Sequence, residues 1–171
     1  MSLDSTPAWA RGPLRITGQA LRDIEAEAVA AYARQEEACG YVTGPVDDPS
    51  LADQSHPLEN LANAYHRADP EGHPRTGREY FKINVLKFER AIQAAADSRR
   101  AVKIFFHSHL DCGAYFSDED AASMTMGSEH EPTYAMCYLV TAIDQGKVTA
   151  HALFTWTPET RRFEPVGLQI V

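Results

Sequence analysis

The run Val102-Lys103-Ile104-Phe105-Phe106 constrains this chain more than any other stretch. It is rich in β-branched and aromatic residues, has charge before it and histidine after it, and reads as a central strand. Helical periodicity lies upstream. Asn84 is placed to cap a helix whose Val85, Phe88, Ala91, Ile92 and Ala95 form one apolar stripe. Earlier still, Thr17 can cap another, with Leu21, Ile24, Ala28, Ala31 and Tyr32 at helical spacing and Arg22, Asp23, Glu25 and Glu27 largely on other faces. Ala38–Thr43 reads as a short buried strand stopped by Gly44-Pro45, and a third helix is predicted near Ser117. Met136–Ile143 and Lys147–Trp156 flank Asp144-Gln145-Gly146, the pattern of a β-hairpin with a short glycine-containing loop.

A length of 171 residues suits one domain, predicted over 17–171 and preceded by residues 1–16 as a tail or short edge strand. The polar stretch 45–78 reads as an insertion. So long a connection is usually functional or hides a strand, for which Leu58–Ala64 and Glu79–Ile83 are the candidates. With 16 basic and 24 acidic side chains the net charge is −8, a poor match to nucleic acid, which needs clustered positive charge. No apolar run approaches the roughly twenty residues of a membrane span. The opening residues lack the apolar segment of a secretory signal, so a cytoplasmic location is expected. Cys39, Cys112 and Cys137 fit reduced thiols rather than a disulfide framework, Cys39 and Cys137 as small core residues.

The chemistry gathers at the end of the central strand. In His107-Ser108-His109 the two imidazoles are two residues apart and point to one face. Such a pair suits Zn²⁺, which takes nitrogen and carboxylate ligands and, in catalytic sites, three protein ligands with one open position. Asp120, at the start of the predicted third helix, can return to the same ion. A carboxylate just ahead of the Ala38–Thr43 strand, Glu36 or Glu37, can serve as proton carrier. Ser117-Asp118-Glu119-Asp120 is also a helix-capping pattern, and an Asp120 bound to metal is not expected to be free to cap. His56, His66, His73, His130 and His151 lack ligand spacing with one another. Tyr115 and Phe116 read as loop anchors, and Cys112 as a loop thiol outside the ligand set. Arg75, Arg78 and Lys82 form a local basic patch with Tyr80 and Phe81 among them, a solvated edge or a docking surface for an acidic or C-terminal tail.

His107-x-His109, seven intervening residues, Ser117, two more and Asp120 resembles the JAMM signature of MPN-domain metalloproteases. Glu37-Ala38-Cys39-Gly40 resembles that family's Glu-x-Cys-Gly element and selects Glu37 over Glu36. The resemblance implies an α/β fold of the MPN (cytidine-deaminase-like) kind, a curved mixed sheet flanked by helices. It implies one zinc held by His107, His109 and Asp120, Glu37 as acid/base residue and Ser117 as donor to the oxyanion. Leu110 stands where many members have proline after the second histidine. The implied activity is peptide or isopeptide hydrolysis, with the C-terminal tail of a small ubiquitin-like or sulfur-carrier protein as partner, and homodimers are an option. The competing function is a non-catalytic MPN interaction scaffold, which typically lacks part of the ligand set kept here. Amidohydrolase barrels need roughly 250 residues, and a cupin would show a further ligand soon after its histidine pair.

Overall fold

The central strand runs further than the apolar stretch that predicts it. β5 (Arg100–Leu110) continues through both histidines, and every residue from Val102 to Leu110 is buried. The structure, a computed structural model, describes residues 6–126 and 131–171. A 3-10 turn at Ala8–Ala10 is followed by β1 (Leu14–Ile16), α1 (Gly18–Ala33), β2 (Cys39–Pro45), β3 (Leu51–Ala52), β4 (Gln54–Leu58), α2 (Ala62–Ala68) and α3 (Val85–Asp97). After β5 come α4 (Asp118–Met124), β6 (Cys137–Asp144), β7 (Lys147–Thr157), β8 (Arg162–Val166) and β9 (Leu168–Ile170). The fold is a mixed α/β one.

Six strands make a mixed sheet in the order β4-β2-β5-β6-β7-β8. Only β5 and β6 are parallel; the other neighbours are antiparallel. A parallel pair requires a crossover, and here that crossover carries Ser117 and Asp120 back over the end of β5. Helices cover both faces. Ile104 and Phe106 pack with Leu21 and Ile24 of α1, whereas Phe105 packs with Phe88 of α3, Phe81 and Met124. Strand alternation therefore sends His107 and His109 to the α3 and α4 side and Ser108 to the α1 side.

Both predicted caps form. Thr17 accepts the Ala20 amide at 3.2 Å and Asn84 the Lys87 amide at 3.0 Å. The β6–β7 hairpin closes through Gln145 and Gly146, at φ 48° and 78°, a two-residue turn with both centres left-handed. No helix among the described residues is long and apolar enough to cross a membrane. Cys39 and Cys137 are buried and unpaired, and burial pushes the Cys137 thiol up to about 12.

Two expectations are corrected. Leu14–Ile16 is neither tail nor edge but the middle strand of a parallel three-stranded sheet, β3-β1-β9. Its partners lie far away in sequence, and three residues carry no readable period. The strands hidden in the polar insertion are β3 and β4, not Leu58–Ala64 or Glu79–Ile83: β4 ends at Leu58 and α2 takes over from Ala62. β4 contains Pro57 and lies at the sheet edge, where proline is tolerated, so it has no apolar alternation to announce it.

Candidate active site

β5 and α4 bring three ligand atoms together. His107 Nε2 and His109 Nε2 are 3.1 Å apart, and Asp120 Oδ2 lies 3.1 Å from the first and 3.3 Å from the second. A tetrahedral ion with bonds near 2.0–2.1 Å separates its ligands by about 3.3–3.4 Å, so the triangle matches a small divalent ion. The donor set also fits: two facing imidazole nitrogens and a carboxylate oxygen can share one cation. His109 donates its Nδ1 proton to the Gly113 carbonyl at 3.0 Å, which leaves Nε2 with its lone pair toward the centre. The His107 ring is fixed by Phe81, 4.8 Å away between centroids. This buried trio can hold a metal.

Asp120 has two tasks. The Ser117 hydroxyl accepts the Asp120 amide at 3.0 Å, and the Ser117 amide donates to Asp120 Oδ2 at 2.9 Å, a complete capping box. Capping and a place in the trio coexist in Asp120. The oxygen that faces the histidines also accepts the cap bond, because a carboxylate oxygen has more than one lone pair. Burial opposes the charge on Asp120, yet the His107 imidazole beside it and the Ser117 amide hold it well below the usual carboxylate range.

Glu37 and Glu36 separate cleanly. Glu36 is half-buried and engaged by Arg34 at 2.8 Å and Asn63 at 3.3 Å. Glu37 is 5% exposed; its carboxylate makes no hydrogen bond or ion pair among the described residues, and its oxygens stay open to solvent. In the β2–β5 ladder Cys39 pairs with His107, so the register extended by two residues sets Glu37 across from His109. Burial, then repulsion from Asp120, Glu119 and Glu79, pushes its pKa well above the ordinary value. Gly40 follows from packing: a Cβ there would lie 2.4 Å from the His56 carbonyl and 2.5 Å from the Phe106 ring.

Leu110, in the place of proline, is the last rung of β5, opposite Ile143. The turn after it is set by Asp111, a residue the sequence reading missed. Asp111 adopts φ 56°, donates its amide to Ile143, and accepts from the Gln145 amide, the Tyr32 hydroxyl and Arg78. The Gln145 amide, first, and the Tyr32 hydroxyl hold its carboxyl low. No local pattern signals it, since the partners of its carboxylate are 33 to 79 residues away.

The other singled-out residues disperse. Phe116 is a loop anchor against Phe154 and Phe163, while the half-exposed Tyr115 ring lies 5.0 Å from His109. Cys112 is exposed and stays out of the ligand trio. His56 stacks on Tyr41, His66 bonds the His73 carbonyl, and His151 bridges Thr141 and Glu25; His130 lies outside the described residues. The basic patch splits. Arg78 turns to Asp111 and Gln35. Arg75 and Lys82 line a cleft of about 510 Å³ that reaches Asp118 and Glu119 of α4. There Arg75 pairs with Glu119 at 2.9 Å and Lys82 lies 4.4 Å above the Tyr65 ring.

A family model described as prokaryotic homologues of the JAB domain matches residues 18–161. The chain belongs to that family. Among solved structures, this JAB-domain chain is similar to protein DSY2949 from Desulfitobacterium hafniense, at 18% identity and TM-score 0.65 over 93% of each chain. A protein from Salinibacter ruber matches at 20% identity and TM-score 0.59 over 92% of each. AF2198, a JAB1/MPN domain protein from Archaeoglobus fulgidus, matches at 15% identity and TM-score 0.52, over 94% of this chain and 99% of that one. At these identities the likeness concerns the fold. Among curated proteins none matches.

Proposed function

We propose that this JAB-domain protein is a zinc-dependent peptidase or isopeptidase acting near the C-terminal tail of a small ubiquitin-like or sulfur-carrier protein. One observation carries the reading: a closed triangle of His107, His109 and Asp120 faces a buried Glu37 whose carboxylate has no partner of its own. Its oxygens stay open to solvent, where an attacking water can reach them. Zinc held by the trio supplies Lewis acidity toward a carbonyl and acidifies water. The chain's residues do the rest. Glu37, with its raised pKa, takes the proton of the attacking water and returns it to the leaving amine. The Ser117 oxygen accepts the Asp120 amide, and its hydroxyl proton serves the oxyanion of the scissile carbonyl. The Arg75 and Lys82 side of the cleft suits an extended segment that is acidic or ends in a carboxylate.

The complete ligand trio favours this reading over a scaffold role. Incubating the purified protein with a panel of ubiquitin-like carriers bearing C-terminal extensions, with and without a chelator, tests it. Cleavage that requires about one zinc per chain is the expected result. Cleavage that persists after verified removal of the metal rejects the mechanism.

A further inference from the structure

A carboxylate that must gain and lose a proton cannot be fixed through its oxygens without losing that freedom. Glu37 is fixed through its backbone instead. Its own amide donates to the Gly77 carbonyl at 2.6 Å. The next peptide unit, which joins Glu37 to Ala38, is held at both polar ends by side chains from different elements. The Glu37 carbonyl accepts from Asn60 Nδ2 at 3.0 Å, and the Ala38 amide donates to Ser108 Oγ at 2.8 Å. A peptide unit is planar, so fixing the units on either side of a Cα fixes its φ and ψ and the direction of its Cβ.

Both clamps are themselves held. Ser108 lies between the two histidines, is 1% exposed, and donates its amide to the Ala38 carbonyl at 3.0 Å. Asn60 donates its second amide proton to the Tyr80 carbonyl at 3.0 Å, and its oxygen accepts from the Ala62 amide at 3.0 Å and the Lys82 amide at 3.1 Å. Two carbonyls on one side and two amides on the other permit only one orientation of this amide group. Asn60 thereby ties Glu37 to the Tyr80–Lys82 wall of the cleft, and Ser108 ties it to the strand of His107 and His109.

We infer that Asn60 and Ser108 are positioning residues that clamp the Glu37–Ala38 peptide and set the Glu37 carboxylate against the metal ligands, an inference that rests on the peptidase reading for its effect on turnover. The clamp itself is tested without turnover. Amide hydrogen exchange at Ala38, followed by NMR, should accelerate at least about tenfold in Ser108→Ala while amides of α1 keep their wild-type rates. Asn60→Asp keeps both acceptor bonds, loses both donor bonds and spares the buried strand. With zinc loaded and a ubiquitin-like carrier bearing a short C-terminal extension as probe, it should lower kcat about 10- to 100-fold at a KM within twofold of wild type. Added to Glu37→Gln, it should lower the residual rate by less than about twofold, because no carboxylate is left to misplace. Unchanged Ala38 exchange in Ser108→Ala, or an equal loss from Asn60→Asp with and without Glu37, overturns the inference. A wild-type protein that cleaves nothing overturns the peptidase reading alone, and the exchange measurement still decides the clamp.

Discussion

The β2–β5 ladder buries Lys103 toward one end and Glu37 just beyond the other, and treats them in opposite ways. Toward its far end the register shifts between Val42 and Thr43, leaving Lys103 without an opposite residue. Lys103 is 0% exposed, and its ammonium donates to the carbonyls of Pro45, Asp48 and Leu51 at 2.7, 2.6 and 2.8 Å. All three protons are placed, and the loop between β2 and β3 is stitched to the sheet. At the near end the Glu37 carboxylate has no such partner among the described residues. The Lys103 charge is saturated with hydrogen bonds, whereas Glu37 is held through its backbone and left open at its tip.

The sharpest way to break this contrast is at Glu37. Glu37→Gln should keep the zinc and lose about 100- to 10,000-fold in turnover, measured as cleavage rate per metal-loaded chain. The same variant bears on pH. Because the folded pKa is raised, the folded state keeps a proton that the unfolded chain releases above about 4.5, so metal-free protein loses stability as pH climbs from there. Denaturation curves of the Gln variant should lack that slope.

At the other end, Lys103→Met leaves three half-buried carbonyls without their ammonium donor. It should cost about 3 kcal/mol in urea unfolding, with activity per folded molecule unaltered. Burial lowers the lysine to about 8 from 10.5, so between those values the unfolded chain binds the extra proton and stability rises with pH. The Met variant should be flat across that window; a slope as steep as wild type's would mean another group is responsible.

Metal removal should separate the ends further. At a free zinc concentration one hundred times Kd the bound ion adds about 2.7 kcal/mol, so chelation should lower Tm by several degrees in wild type and in Lys103→Met alike. A Tm indifferent to the chelator would contradict a metal at the trio. The smallest effect belongs to the cleft rim. Arg75→Ala removes a surface ion pair and should change stability by less than about 1 kcal/mol, while raising KM for an acidic tail a few-fold. A KM that stays put would remove Arg75 from substrate binding.

Much of the fold was legible because its signals are local. Thr17 and Asn84 cap as predicted, and Gln145-Gly146 turns the hairpin, since each depends on groups within a few residues. Leu14–Ile16 and β4 were illegible because their pairing is remote and their patterns are short or broken by Pro57. In the site, the parity of His107 and His109 was visible in spacing, whereas Glu37 was preferred to Glu36 only through the resemblance of Glu37-Ala38-Cys39-Gly40 to a family element. Asp111 and Asn60, whose partners come from three or more segments, were not.

Sequence alone determined the ligand types, their placement at a strand end and a helix start, and the carboxylate ahead of β2, because alternation and capping are short-range geometry. Only the tertiary structure decided that Asp120 caps and faces the histidines at once, that Glu37 is buried without a partner while Lys103 is buried with three, and that Asn60 and Ser108 meet at one peptide. Those outcomes depend on which distant groups share a buried space, and no local pattern encodes the solvation of a side chain by residues tens of positions away.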